Sequence, residues 1–310
     1  MCLTSRSLKR GCAAGLALAA GLALAACGTS ASGSPLTAGA SQGSVVVGSA
    51  NFPEDQLLAQ IYATALAARG VKVTDQFSIG AREVYYPEIE KGAITIIPEY
   101  NGALLTTAVD PSSTAATTAR VDAQLKARLP ASLRILSPSP AQDKDSVTVT
   151  RAFAARHHLS SIAQLRRLAP SMVFGAPPEF KVRADGQAGL RKHYGLQFKG
   201  FDALDESGPI TLKALTDGTV QAADVFTTTP QILTDHLVSL ADPKSNFAAQ
   251  NVVPLVYRKA VNATIVNTLN AISARLTTTS LLDMDKAIIV DHANYLTVAT
   301  AWLKAEGLPS

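Results

Sequence analysis

From Ser44 onward, short β-branched runs alternate with segments of helical period. Val45-Val46-Val47-Gly48 is a compact apolar run, as in a strand covered on both faces. Residues 56–69 follow, with Leu57, Leu58, Ile61, Ala65 and Leu66 on one stripe of a predicted helix that Gly70 stops. Residues 71–77 predict a second strand, and residues 84–91 a short helix ended by Gly92. Residues 94–97 predict a third strand, closed by Pro98-Glu99-Tyr100-Asn101-Gly102. This β-α-β-α-β order predicts an α/β fold with a largely parallel sheet.

The theme returns further on. Strands are expected at 146–150, 172–175, 222–226 and 252–256, and helices at 161–168, 186–194 and 212–216. The tail, 263–276 and 281–304, has helical period. There is no exact internal repeat. Two α/β halves imply two lobes rather than one sheet.

The first 43 residues follow other rules. Arg6, Lys9 and Arg10 precede an uncharged run of Ala, Leu and Gly from Gly11 to Ala26. That run is shorter than the roughly 20 apolar residues of a bilayer span and suits a signal peptide. It ends in Leu24-Ala25-Ala26-Cys27-Gly28, which resembles the lipobox of bacterial lipoproteins. The resemblance implies cleavage after residue 26 and a diacylglycerol thioether on Cys27. The small, polar residues 28–43 then read as a tether. The other cysteines, Cys2 and Cys12, would leave with the signal peptide, so no disulfide is expected.

The net charge of +4 includes the three basic residues of the signal segment; without them, 25 basic residues face 24 acidic ones. No basic face for nucleic acid is expected, and no second apolar run reaches membrane-span length. HExxH, P-loop and GxGxxG motifs are absent, and the one GxSxG spelling, Gly39-Ala40-Ser41-Gln42-Gly43, falls in the small polar stretch read as a tether rather than on a strand-to-helix turn. The five histidines, His157, His158, His193, His236 and His292, are scattered, and the adjacent pair sits in a polar stretch read as solvated surface. Neither an enzyme nor a resident metal or organic cofactor is indicated.

What remains is a set of polar and aromatic residues just after predicted strands, where open α/β sheets bind ligands. These loops span residues 49–56, 80–86, 98–102, 176–180 and 227–230. Several of their pieces resemble the ProX-like osmoprotectant-binding proteins of ABC importers. In the first half these are Val47-Gly48-Ser49-Ala50-Asn51-Phe52-Pro53-Glu54, Gly80-Ala81-Arg82-Glu83 and Ile97-Pro98-Glu99-Tyr100-Asn101-Gly102. Gly175-Ala176-Pro177-Pro178-Glu179-Phe180 is similar to the second-lobe loop of that family's actinobacterial branch. Asp224-Val225-Phe226-Thr227-Thr228-Thr229-Pro230 and Ala249-Gln250-Asn251-Val252-Val253-Pro254-Leu255 complete the match.

The resemblance implies a two-lobe periplasmic-binding-protein fold of the second type. Lobe one would comprise 44–145 and 251–310, and lobe two 146–250. A small solute would be captured between them and passed to a membrane permease driven by ATPase subunits. Contact with the membrane would be through the lipid anchor only, on the extracytoplasmic face, and the protein would be a monomer. Ligand contacts are expected from Asn51, Phe52, Gln56, Arg82, Glu83, Tyr86, Tyr100, Asn101, Asp145, Glu179, Phe180, Thr227 and Thr228.

The ligand itself is less determined. A quaternary ammonium such as glycine betaine or choline has no N–H to donate and is held by aromatic faces. Tyr100 matches one cage position of the family. Ser146 and Leu212 stand where relatives have tyrosines, and Thr229 replaces a common Asp. Phe226 either supplies a ring or points into the core, and Tyr85 or Tyr86 could replace a missing one. Asp143, Asp145 and the hydroxyls of Ser49, Ser146, Thr227 and Thr228 leave a polyol or polyphenol open as cargo. A cell-envelope enzyme or scaffold stands as the rival class.

Overall fold

The computed structural model describes residues 44–310; the expected signal peptide, Cys27 and the tether lie outside the described residues. The chain opens with β1 (Ser44–Gly48), α1 (Pro53–Ala68), β2 (Lys72–Gln76), α2 (Arg82–Lys91) and β3 (Ile96–Tyr100). Then come α3 (Asn101–Leu104), a π-helical turn (Leu105–Val109), α4 (Thr118–Arg128) and β4 (Leu133–Ile135). The middle holds β5 (Val147–Thr150), α5 (Arg151–His157), β6 (Val173–Ala176), α6 (Gln187–Tyr194) and β7 (Gly200–Ala203). It continues with α7 (Pro209–Thr216), β8 (Ala222–Asp224), α8 (Gln231–Thr234) and β9 (Leu237–Ser239). The chain closes with β10 (Val252–Tyr257), α9 (Ala263–Arg275), α10 (Thr278–Asp285) and α11 (Tyr295–Ala305).

Two five-stranded sheets result, in the orders β2-β1-β3-β10-β4 and β7-β6-β8-β5-β9. In each, four strands share one direction. The exceptions are β10, antiparallel to β3 and β4, and β5, antiparallel to β8 and β9. Both follow directly on the passage of the chain from one sheet to the other. They enter from the side where the parallel strands end, so they must run the opposite way. The two passages are laced together: Gln142 bridges Asn251, and the Asp143 amide donates to the Gln250 carbonyl at 3.2 Å. The Gln250 side chain donates to Asp145 Oδ2 at 2.7 Å.

Each sheet has its own apolar core. Val45, Val47, Leu57, Leu58, Ile61 and Leu66 join Leu269, Ile272, Trp302 and Leu303 of the C-terminal helices on one face of the first sheet. Val147, Val149, Phe174, Phe180, Leu190 and Phe247 fill the second half.

The departures from expectation have physical causes. The third strand does not stop at Pro98 but runs to Tyr100, because pairing with β10 carries on to Val252 opposite Tyr100. The expected helix at 281–304 is broken. After α10 and a π-turn (Lys286–Val290), the chain bends, and Asn294 caps α11 by accepting from the amides of Leu296 and Thr297. The polar stretch holding His157 and His158 is the end of α5, with His158 left-handed at φ 53° as its C-terminal stop. The 3₁₀ segment Ile162–Arg167 replaces the expected α-helix at 161–168. Helix α4 and strands β4, β7 and β9 were not anticipated, the strands being three or four residues long.

Gly102 shows why the turn after β3 needs glycine. A Cβ there would stand 2.3 Å from the carbonyl oxygen of Ala249, on the return passage. Neither backbone can move without disturbing the pairing beside it. Gly102→Ala should therefore lower the unfolding midpoint, by about 1–3 kcal/mol of overpacking. Thermal or urea denaturation checks this, and an unchanged midpoint would mean the two backbones can part freely.

Candidate functional site: the cleft between the two sheets

The carboxyl ends of β1, β3, β6 and β8 face a cleft with about 420 Å³ of free space including its mouth. The first half contributes Phe52, Arg82, Tyr85 and Tyr100; the passages contribute Asp143, Asp145 and Gln250; the second half contributes Arg183, Glu206 and Phe226.

Helix α1 organises the first wall. Phe52 precedes it, and Pro53 supplies the fixed φ of its first turn. Glu54 and Asp55 follow in that turn, where the positive helix end favours them. Asp55 Oδ2 accepts from the Ala50 amide at 2.5 Å, which sets the loop after β1. Glu54 turns inward. It accepts from the Tyr100 phenol at 2.5 Å and from Thr228 Oγ1, of the opposite half, at 2.6 Å. Phe52 lies 5.9 Å from the Tyr100 ring and meets Phe226 edge-on at 5.2 Å. Three rings thus line one end of the cavity.

Both arginines are already engaged. Arg82 Nε and Nη2 each donate to Glu99 at 2.9 Å, and Glu99 also accepts from the Tyr85 phenol at 2.8 Å. Arg183 Nε and Nη2 donate to Glu83 at 3.0 Å, closing a fork–fork pair between the halves. Thr106 Oγ1 donates to Asp185 at 2.6 Å, a third bond between the halves.

Carboxyl groups dominate the remainder. Burial raises Asp143 well above the usual carboxylate range, and the nearby Glu54 adds to this. Burial likewise raises Glu54. Burial pushes Glu206 up to about 7, against the pull of Arg183. It lifts Asp185 to about 6, with Asp145 adding repulsion. Asp224, 1% exposed, is raised well above its ordinary value by burial and then by Asp145.

The expected contact residues divide into groups. Phe52, Arg82, Tyr100 and Asp145 line the cavity. Thr228 lies behind it, bonded to Glu54 and, through its amide at 3.0 Å, to Asp143. Asn51, Gln56 and Glu179 line an adjoining groove beyond Phe52. Glu83 closes the rim through Arg183. Thr227 is exposed, and its Oγ1 accepts from the Lys144 amide at 2.9 Å.

Three of the expected residues face elsewhere. Asn101 is fully buried, donating to Asp122 at 2.7 Å and accepting from the Asn251 amide at 2.8 Å, so it ties α3 to α4 and β10. Phe180 stacks on Phe174 at 5.4 Å inside the second core. Tyr86 is half-buried away from the cavity, because one helical step turns Tyr85 inward instead. Ser146 and Leu212 do not line the cavity either. Ser146 Oγ donates to the Val225 carbonyl at 2.6 Å, and Leu212 packs with Leu215 and Val225.

Arg183 and Glu206 are not among the residues the sequence points to, and Gln250 is expected only within the motif that leads into β10. Glu206 follows β7, which has no clear strand pattern, and Arg183 lies beyond the end of the loop after β6. A rule that searched every post-strand loop for charge would have needed β7 first.

The raised carboxyls carry a pH signature. A group whose folded pKa lies above its unfolded one binds more protons in the folded state, so its contribution to stability falls as pH rises through the window between the two. For Glu206 that window runs from about 4.5 to about 7. Glu206→Gln should therefore gain stability relative to the parent protein between pH 5 and pH 8. Denaturation midpoints at the two pH values test this; an equal difference at both would rule out titration of Glu206 in that window.

Residues 43–305 match the family described as the substrate-binding domain of ABC-type glycine betaine transport systems. The glycine betaine-binding protein YehZ of Escherichia coli (strain K12) is 26% identical over 276 residues, covering 85% of this chain and 90% of YehZ. Among solved structures, a glycine betaine/carnitine/choline ABC transporter protein superposes with a TM-score of 0.65 at 18% identity, covering 85% of this chain and 98% of that one. A choline-binding protein in complex with choline superposes with a TM-score of 0.59 at 13% identity, covering 86% and 89%. These two establish the likeness of fold, a two-lobe α/β binding protein. On the family match, which spans nearly all the described residues, the chain belongs to the substrate-binding domains of ABC-type glycine betaine transport systems.

Proposed function

We propose that this protein captures a quaternary ammonium solute, of the glycine betaine or choline kind, in the cleft between its lobes and delivers it to an ABC permease. The observation that carries this reading is the set of rings Phe52, Tyr100 and Phe226 lining one end of a cavity that also holds buried carboxyl groups. A methylated ammonium gains nothing from hydrogen-bond acceptors alone, whereas ring faces and nearby negative charge both attract it. Lobe one is then 44–145 with 251–310, and lobe two 146–250, the passages at Asp143 and Gln250 serving as the hinge. The Arg183–Glu83 pair and the Thr228–Glu54 bond would hold the closed state.

The polyol reading has less support. Ser49 Oγ donates to the Ala50 carbonyl at 2.9 Å and accepts from the Ser78 amide, while Ser146 and Thr228 are engaged as described. The protein acts, on this proposal, as a binding subunit rather than an enzyme, and as a monomer. Its site on the extracytoplasmic face of the membrane follows from the expected lipid on Cys27. Among the described residues no helix is long and apolar enough to cross a membrane.

A thermal-shift screen tests the reading. At 100 times its dissociation constant, glycine betaine or choline should add about 2.7 kcal/mol to the folded state. Phe52→Ala should weaken that binding by about 0.5–2 kcal/mol, the worth of one cation–π contact. No shift with any solute of a panel including betaine, choline, carnitine, ectoine, sugars and polyols would overturn it.

A further inference from the structure

The balance of charge in the cleft says more about the solute. Two cationic side chains line the cavity, and each is held by a glutamate: Arg82 by Glu99 and Arg183 by Glu83. Three acids, Asp143, Asp145 and Glu206, line the same space, and among the described residues none of them has a cation at ion-pair distance. Glu206 Oε2 is buried and has no hydrogen-bond partner; neither has Oδ1 of Asp224, which lies behind Asp145. Unpartnered carboxylate oxygens are costly to bury and call for a positive charge from outside the chain.

We infer that the cleft selects an organic cation without a carboxylate, and that Asp145 and Glu206 are the residues that set this preference. The inference rests on the ligand site proposed above. A trimethylammonium head would meet Phe52, Tyr100 and Phe226, and its positive charge would offset the three acids. The carboxylate of a betaine would enter the same space against them, with both guanidiniums already paired. Like-charge opposition of this kind is an effective way to reject a near-isosteric competitor.

The groups facing Glu206 are Arg183, Glu179, Arg82 and Asp145. Three of these four belong to the ion pairs and acids already described, so no additional cation stands by to neutralise it. A bound cation favours the ionised form of Glu206, so cation binding releases protons and strengthens from pH 5.5 to pH 8.

Choline, glycine betaine and glycine betaine methyl ester form a suitable series for calorimetric titration of the purified protein at pH 8. All carry the same trimethylammonium group; the ester restores net positive charge to the betaine skeleton. Choline and the ester should each bind at least about tenfold more tightly than betaine, a difference of about 1.4 kcal/mol. Glu206→Gln and Asp145→Asn should weaken the two cations and narrow that ratio. Betaine binding as tightly as choline would overturn the inference while leaving the ligand site intact. A preference unchanged in both variants would overturn the assignment to these two acids. Binding of none of the three, with a shift from a neutral polyhydroxy solute instead, would overturn both the inference and the quaternary ammonium reading.

Discussion

Two hydrogen bonds meet on the carboxyl group of Glu54, and through it the two halves of the molecule are joined beside the cleft. The Tyr100 phenol reaches it from the end of β3 and Thr228 from the opposite half. Its position follows from α1, whose first turn it occupies with Pro53 before it and Asp55 after it. A carboxyl so placed is desolvated, and burial raises its pKa despite these bonds. The same burial acts on Asp143 and Asp285 nearby. Behind the cleft, therefore, stands a group of acids that burial raises above the ordinary carboxylate range.

The second determinant is the use made of arginine. An arginine in a binding cleft is ordinarily a ready partner for a ligand carboxylate. Here the Arg82 fork is closed by Glu99, which is itself fully buried and bonded to Tyr85. Arg183 is turned to Glu83 across the rim. Both guanidiniums thus serve the architecture, one under the first wall and one between the halves. What is left facing the cavity is aromatic and acidic, apart from the Gln250 amide and two alanines.

The family resemblance and the match over residues 43–305 agree on the kind of protein. Two positions expected to carry tyrosine hold Ser146 and Leu212, and both side chains are absorbed into the second half. The rings that do line the cavity come from Phe52, Tyr85, Tyr100 and Phe226, with Phe52, Tyr100 and Phe226 grouped at one end. Phe52 and Phe226 touch edge to face across the cleft, so the wall is assembled only when both halves are brought together.

The α/β class, the division into two halves and the loops that end at the cleft are all legible in the order of the residues. This is because buried parallel strands and amphipathic helices leave periodic patterns, and because glycine, proline and the motif around Tyr100 mark where those patterns stop. Phe52, Arg82, Tyr100 and Asp145 were legible for this reason, each lying in or beside a post-strand loop. Which side chains turn inward depends instead on packing across the fold. Tyr85 and Tyr86 are neighbours in sequence, yet one helical step of about 100° separates the cavity from the half-buried side. Asn101 and Phe180 sit in cleft loops by position but satisfy the interior by chemistry, one as a hydrogen-bond tie and the other as a core ring. Glu206 and Arg183 became part of the site through short or irregular segments whose local sequence has no period to read. Pairing across the sheets, a non-local event, fixed where they stand.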